Sequence, residues 1–128
     1  MKGMGGQPSR VVAQLVAALG LLAEGHQAQL DWLARYLRAS PAPTEGDFCV
    51  EELALQFEDS AQALPQFVQD GLLQAEQERL VATVTEQLSL MRDASRTHLW
   101  RPEALASGQE WAEVRARAAR ALDALKRP

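Results

Sequence analysis

Residues 9–38 read SRVVAQLVAALGLLAEGHQAQLDWLARYLR, and the periodicity of this stretch decides the fold. Val12, Leu15, Val16, Leu19, Leu22, Ala23, His26, Leu30, Leu33 and Leu37 recur at intervals of three and four. That repeat lines side chains up on one face of an α-helix, whereas a strand would need alternation. Ser9, behind Pro8, suits a helix start, and the spacing predicts a helix to about Arg38. Gly20 and Gly25 each weaken it by about 1 kcal/mol relative to alanine, so a break near Glu24 and Gly25 is the alternative. The preserved phase favours one rod, bent or straight, about 45 Å long at 1.5 Å per residue.

Beyond it, Ser40 to Asp47 holds Pro41 and Pro43, which remove backbone donors and disfavour helix in the residues before them, so a loop is expected there, with Asp47 as a helix cap. Phe48 to Asp59 places Val50, Leu53, Ala54 and Phe57 on one helical face; a strand would instead align Leu53, Leu55 and Phe57, and the Glu and Ala content decides for helix. Pro65 suits the first residue of a short helix over Gln66 to Asp70, ended by Gly71 in the left-handed region. Leu73, Gln77, Leu80, Val81, Val84, Leu88 and Met91 mark another helix, from about Gln74 to Arg92. Pro102 opens a short turn to Ala106. Ser107 with Glu110 has the Ser-x-x-Glu spacing of a capping box for a last helix that carries Trp111, Val114, Ala118, Leu122 and Leu125 on one side.

The sum is an all-α, single-domain helical bundle of about four main helices plus two short ones, spanning 9–128, behind a disordered tail at 1–8. Composition agrees. With 47% apolar and 23% charged residues the chain is globular in character, and Ala and Leu dominate over the β-branched and aromatic residues that sheets prefer. Cys49 is the sole cysteine, so no intramolecular disulfide can form; a cytoplasmic location is expected, with Cys49 as a small buried filler. Lys2 and Arg10 followed by the apolar run Val11 to Ala23 imitate a secretory leader, but Gln14 interrupts the run and the helical periodicity continues past it. The run is also shorter than the roughly 20 residues a membrane span requires.

No set of residues points to catalysis or metal binding. Zinc sites want three or four Cys, His or carboxylate ligands at short spacings, and the two histidines are a stripe residue, His26, and a polar-link residue, His98. A nucleophile pair of Cys49 with either histidine has no supporting third group. The glycines of residues 3–6 precede a helix with no strand before it, unlike a phosphate loop. Glu51-Glu52 and Glu58-Asp59 are paired carboxylates of the kind that most often form solvated helix faces. The expectation is a non-enzyme without cofactor or metal.

Charge is distributed unevenly. Between Ala39 and Glu78 lie nine acidic residues and no Lys or Arg, so the net charge of −4 conceals a local −9. Such a segment repels phosphates and steers a basic partner. With Val50, Leu53 and Phe57 inward, the outer face of the helix carries Phe48 and Leu55 among Glu51, Glu52, Glu58 and Asp59, and these six residues are the candidate partner-binding site. Arg115, Arg117 and Arg120 of the last helix are diluted by Glu110, Glu113 and Asp123 and are expected to form a solvated face rather than a nucleic-acid site.

The succession Glu52-Leu53-Ala54-Leu55-Gln56-Phe57, Gly71-Leu72-Leu73, Leu99-Trp100, Glu103-Ala104-Leu105 and Trp111-Ala112-Glu113-Val114-Arg115 resembles small, helical, uncharacterised bacterial proteins from high-GC genomes, some of which act as immunity partners of secreted toxins. The resemblance covers about residues 50–125 and carries no functional residues over. The acid-only middle segment and the absence of catalytic sets lead to the expectation of a module that neutralises or regulates a basic protein, with no nucleic-acid or membrane role and with an immunity protein against a toxin as its concrete form. The alternative is a structural or adaptor protein that self-associates, as a homodimer, through the near-heptad stripe of the long first helix.

Overall fold

The computed structural model describes residues 6–39, 50–92 and 98–126. The fold is all-α: α1 (Gly6–Ala23), α2 (His26–Ala39), α3 (Glu51–Ala61), α4 (Leu64–Gln69), α5 (Ala75–Met91), α6 (Pro102–Ser107) and α7 (Gln109–Lys126), with no strand among the described residues. α4 and α6 are the two short elements. Residues 6–8, expected in the tail, already belong to α1, because Pro8 falls in the first turn, where its missing N–H costs no hydrogen bond. The 40–47 loop, its Asp47 cap and Cys49 lie outside the described residues.

Helix α1 packs most extensively against α7 and α3, and α5 packs against α7 and touches α3. Leu15, Leu19 and Leu22, at helical intervals, are fully buried there. Leu33 of the same stripe is buried as well, whereas Val12, Val16, Ala23 and Leu30 are half-buried. Three side-chain bonds fix α5 antiparallel to α7. Gln77 Nε2 donates to the Ala124 carbonyl at 3.1 Å, Arg117 Nη1 to that of Thr83 at 2.8 Å, and Gln87 Nε2 to that of Glu110 at 3.4 Å, so the positions rise along one helix and fall along the other. Ala118 and Ala121 of α7 are buried, and their small side chains let neighbouring helices approach closely.

Trp111 anchors the other end of α7. Its indole is fully buried, donates from Nε1 to the Leu99 carbonyl at 2.7 Å, and meets Trp100 edge to face with centroids 5.5 Å apart. Trp100 Nε1 in turn donates to the Met91 carbonyl at 2.9 Å, satisfying a group at the end of α5 that has no intrahelical partner. Two tryptophans therefore join α5, the turn at 98–100 and α7, Trp111 fully buried and Trp100 half-buried, each using its polar edge.

The expected continuous first helix is two helices, broken at Glu24 and Gly25. The break leaves the last carbonyls of α1 in need of donors, and two side chains supply them. Gln29, fully buried on α2, donates from Nε2 to Leu21 at 3.1 Å and to Leu22 at 3.2 Å. Arg115 of α7 donates from Nε to the Glu24 carbonyl at 3.1 Å, from Nη2 to Gln29 Oε1 at 3.4 Å, and closely to the Leu105 carbonyl. Turning the chain here also moves His26, expected on the apolar stripe, to an exposed position in the first turn of α2.

Two glycines have conformational reasons. Gly71 has φ 78°, its N–H bonds Val68 and the N–H of Leu72 bonds Phe67, so α4 ends in the Schellman arrangement that favours glycine. At Gly108 any Cβ would lie 2.6 Å from the Ala104 carbonyl oxygen. That glycine also corrects the start of α7. The Ser107 hydroxyl donates back to the Glu103 carbonyl at 3.1 Å instead of capping α7, and the helix opens after Gly108, whose carbonyl accepts from Ala112. Ser107 is the last residue of α6, where a back-bonded hydroxyl is the local alternative to a cap.

Replacing Gln29 with Leu keeps an apolar group of similar size but strands two buried carbonyls and one hydrogen bond from Arg115. The expected loss is about 2 kcal/mol, measured as a lowered urea midpoint with an unchanged slope.

Candidate functional site

Helix α3 positions the candidate surface. Val50, Leu53, Ala54 and Phe57 are buried against α1 and its neighbours, which turns the opposite face outward. Glu51 and Glu52 stand in the first turn, where the free N–H groups of a helix favour negative charge. Glu51, Leu55 and Asp59 are exposed, and Glu52 and Glu58 are half-buried. The five share the outer face as the spacing predicts; Phe48 lies outside the described residues. Leu55 is 40% exposed, so no neighbouring described helix covers it.

The cation-free segment of the sequence is not cation-free in space. Arg92, at the end of α5, reaches across to Glu58 with a two-pronged ion pair, Nη1 to Oε2 at 2.5 Å and Nη2 to Oε1 at 2.8 Å, and its Nε lies 3.9 Å from Glu51. The Glu58 hydrogen bond, with the charges of Glu58 and Glu51, holds the guanidinium above its ordinary pKa against the opposing effect of burial. Arg92 also lies 5.4 Å from the centroid of the Trp100 ring, so the pair is seated on an aromatic face. Elsewhere in the acidic segment, Glu76 pairs with Arg79 at 3.1 Å and Asp70 accepts from Gln66 at 2.9 Å. Among the described residues no cation pairs with Glu52 or Asp59. The electronegative surface therefore divides into a half that Arg92 partly neutralises and a half without a pairing cation among the described residues, with Leu55 between them on the same helix.

Asp59 also borders a cleft of about 720 Å³ between α1, α2 and α3. Its α1 side is built of small and aliphatic residues, Ala17, Gly20 and Leu21, and α2 contributes Trp32 and Arg35. Trp32 is half-buried and stacks on Tyr36 with ring centroids 5.2 Å apart. Sequence reasoning assigned neither the cleft nor Trp32 a role; the only signal was an aromatic residue one position before the stripe residue Leu33.

The basic residues of α7 do not form the expected solvated face. Burial lowers the pKa of Arg115, which is committed to the α1–α2 junction, and Arg117 pairs with Glu113 at 2.7 Å while donating to Thr83. Arg120 is exposed. His98 is exposed, among the described residues no group of three His, Cys, Asp or Glu side chains is placed to hold a metal ion, and no described helix is long and apolar enough to cross a membrane. Compared with protein-family models, curated proteins and solved structures, the chain matches none.

Arg92→Ala removes the ion pair and its aromatic seat together. The expected cost is about 1 kcal/mol in dilute buffer, shrinking to a few tenths near 1 M salt, read from urea midpoints at the two ionic strengths.

Proposed function

We propose that this protein is a small acidic binding module that neutralises or regulates a basic protein through the outer face of α3. The observation that carries this reading is the state of that face: Leu55 is exposed, and beside it Glu52 and Asp59 have no pairing cation among the described residues. An apolar centre with unneutralised carboxylates around it suits a cationic surface carrying an apolar contact. An immunity partner of a secreted toxin is the concrete form suggested by the resemblance of residues 50–125 to small bacterial helical proteins.

The test separates patch from net charge. Glu52→Lys with Asp59→Lys reverses two free carboxylates and leaves the Arg92 pair intact; Glu76→Lys with Glu78→Lys makes the same charge change on α5. The partner recovered with the wild type from the native host should bind the α3 variant at least about tenfold more weakly in low salt, and the α5 variant nearly as well as the wild type. Equal binding of the two variants would reduce the acidic face to a solubilising surface and sink the proposal.

A further inference from the structure

We infer that the cleft between α1, α2 and α3 receives an arginine side chain of the basic partner; this rests on the reading of α3 above and extends its surface across Asp59. The chain itself contains the template. Arg92 lies over the Trp100 ring at 5.4 Å and is held by the carboxylates of Glu58 and Glu51. The cleft brings together the same kinds of residue with no guanidinium paired to them: the half-buried ring of Trp32, which stacks on Tyr36, with Asp59 and Glu24 on the lining. Among the described residues no cation pairs with either carboxylate, although Arg35 also lines the cleft.

Charge and shape choose the occupant. Glu24 and Asp59 against Arg35 leave the lining with an excess of one negative charge. A planar guanidinium can stack on an indole while donating in-plane hydrogen bonds to a carboxylate, which a lysine ammonium cannot do at once. Gln14 and Gln56, also on the lining, add amide oxygens that can accept its remaining N–H groups. At about 720 Å³ the space is ample for an arginine and its flanking backbone. Arg35 opposes the incoming charge, so its removal should strengthen binding.

The experiment uses the full chain and two capped peptides, one with three arginines separated by glycines and one with lysines in their place, titrated calorimetrically in low salt. The arginine peptide should bind more tightly than the lysine peptide. Trp32→Ala and Asp59→Asn should each weaken it about threefold to tenfold, and Arg35→Gln should tighten it about twofold to fivefold. Trp32→Leu, checked for an unchanged circular dichroism spectrum, guards against a loss caused by misfolding. Equal affinity for the two peptides overturns the assignment. So does wild-type affinity in the Trp32 and Asp59→Asn variants: if Glu52→Lys still weakens binding, the α3 surface stands without the cleft, and if it does not, both readings fall. A concentration-dependent dimer in sedimentation that dissociates on Trp32→Ala would instead give the cleft to a second copy of the chain.

Discussion

The structure depends on how the chain turns at Glu24 and Gly25. A helix that ends inside a protein leaves carbonyl groups without partners, and leaving such groups buried and unmet costs as much as several good packing contacts gain. Here the deficit is met from both directions along the sequence, by Gln29 a few residues onward and by Arg115 near the end of the chain. One guanidinium then touches the end of α1, the amide of α2 and the carbonyl of Leu105 in α6. The path of α2 is fixed by polar bonds as much as by packing, and the cleft it bounds with α1 and α3 follows from that path.

A second polar tie does for the acidic region what the first does for the turn. Arg92 crosses from α5 to α3 and rests on Trp100, whose indole N–H caps α5 and whose ring meets Trp111. The ion pair is at the surface, where such pairs contribute little individually, but its two-pronged geometry and aromatic seat set which carboxylates are structural and which are free. Glu58 and part of the field of Glu51 serve the fold. Glu52 and Asp59 have no such pairing cation among the described residues, so the unpaired acidic surface of α3 is smaller and more localised than the charge count of the segment implies.

Helical class, the inward faces of α3 and α5, the first part of that of α7, and the glycine stop at Gly71 were legible in the sequence because each depends on local periodicity or backbone sterics; past Ala118, α7 buries the small Ala121 and Ala124 and leaves the expected Leu122 and Leu125 half-buried. The break in the first helix was not. Buried positions continue across it at helical intervals, from Leu22 to Gln29 to Leu33, so periodicity alone cannot separate a rod from two helices joined by a tight turn. A reading by hydrophobicity assigned the stripe to His26 and Leu30, whereas the structure buries the polar Gln29, whose amide the turn requires. Ser107 misled for a related reason: a hydroxyl three residues before a glutamate fits a capping box, but Gly108 between two helices lets the serine bond backward. The outer face of α3 was readable residue by residue, while its partial neutralisation was not, because Arg92 lies 34 residues from Glu58 and meets it only through the packing of α5.

The two arginine–tryptophan settings bear on how far a charge map can be taken as a map of function. Around Trp100 the chain supplies its own guanidinium, and the acidic residues there become part of the fold. Around Trp32 the nearby cation, Arg35, shares the lining with Asp59 and Glu24 but forms an ion pair with neither. Both carboxylates are exposed, and by staying unpaired among the described residues they forgo an interaction that the same chain uses elsewhere. Trp32 is half-buried against Tyr36 and Asp59 is exposed, so this second set remains part of the surface where the first is built into the fold.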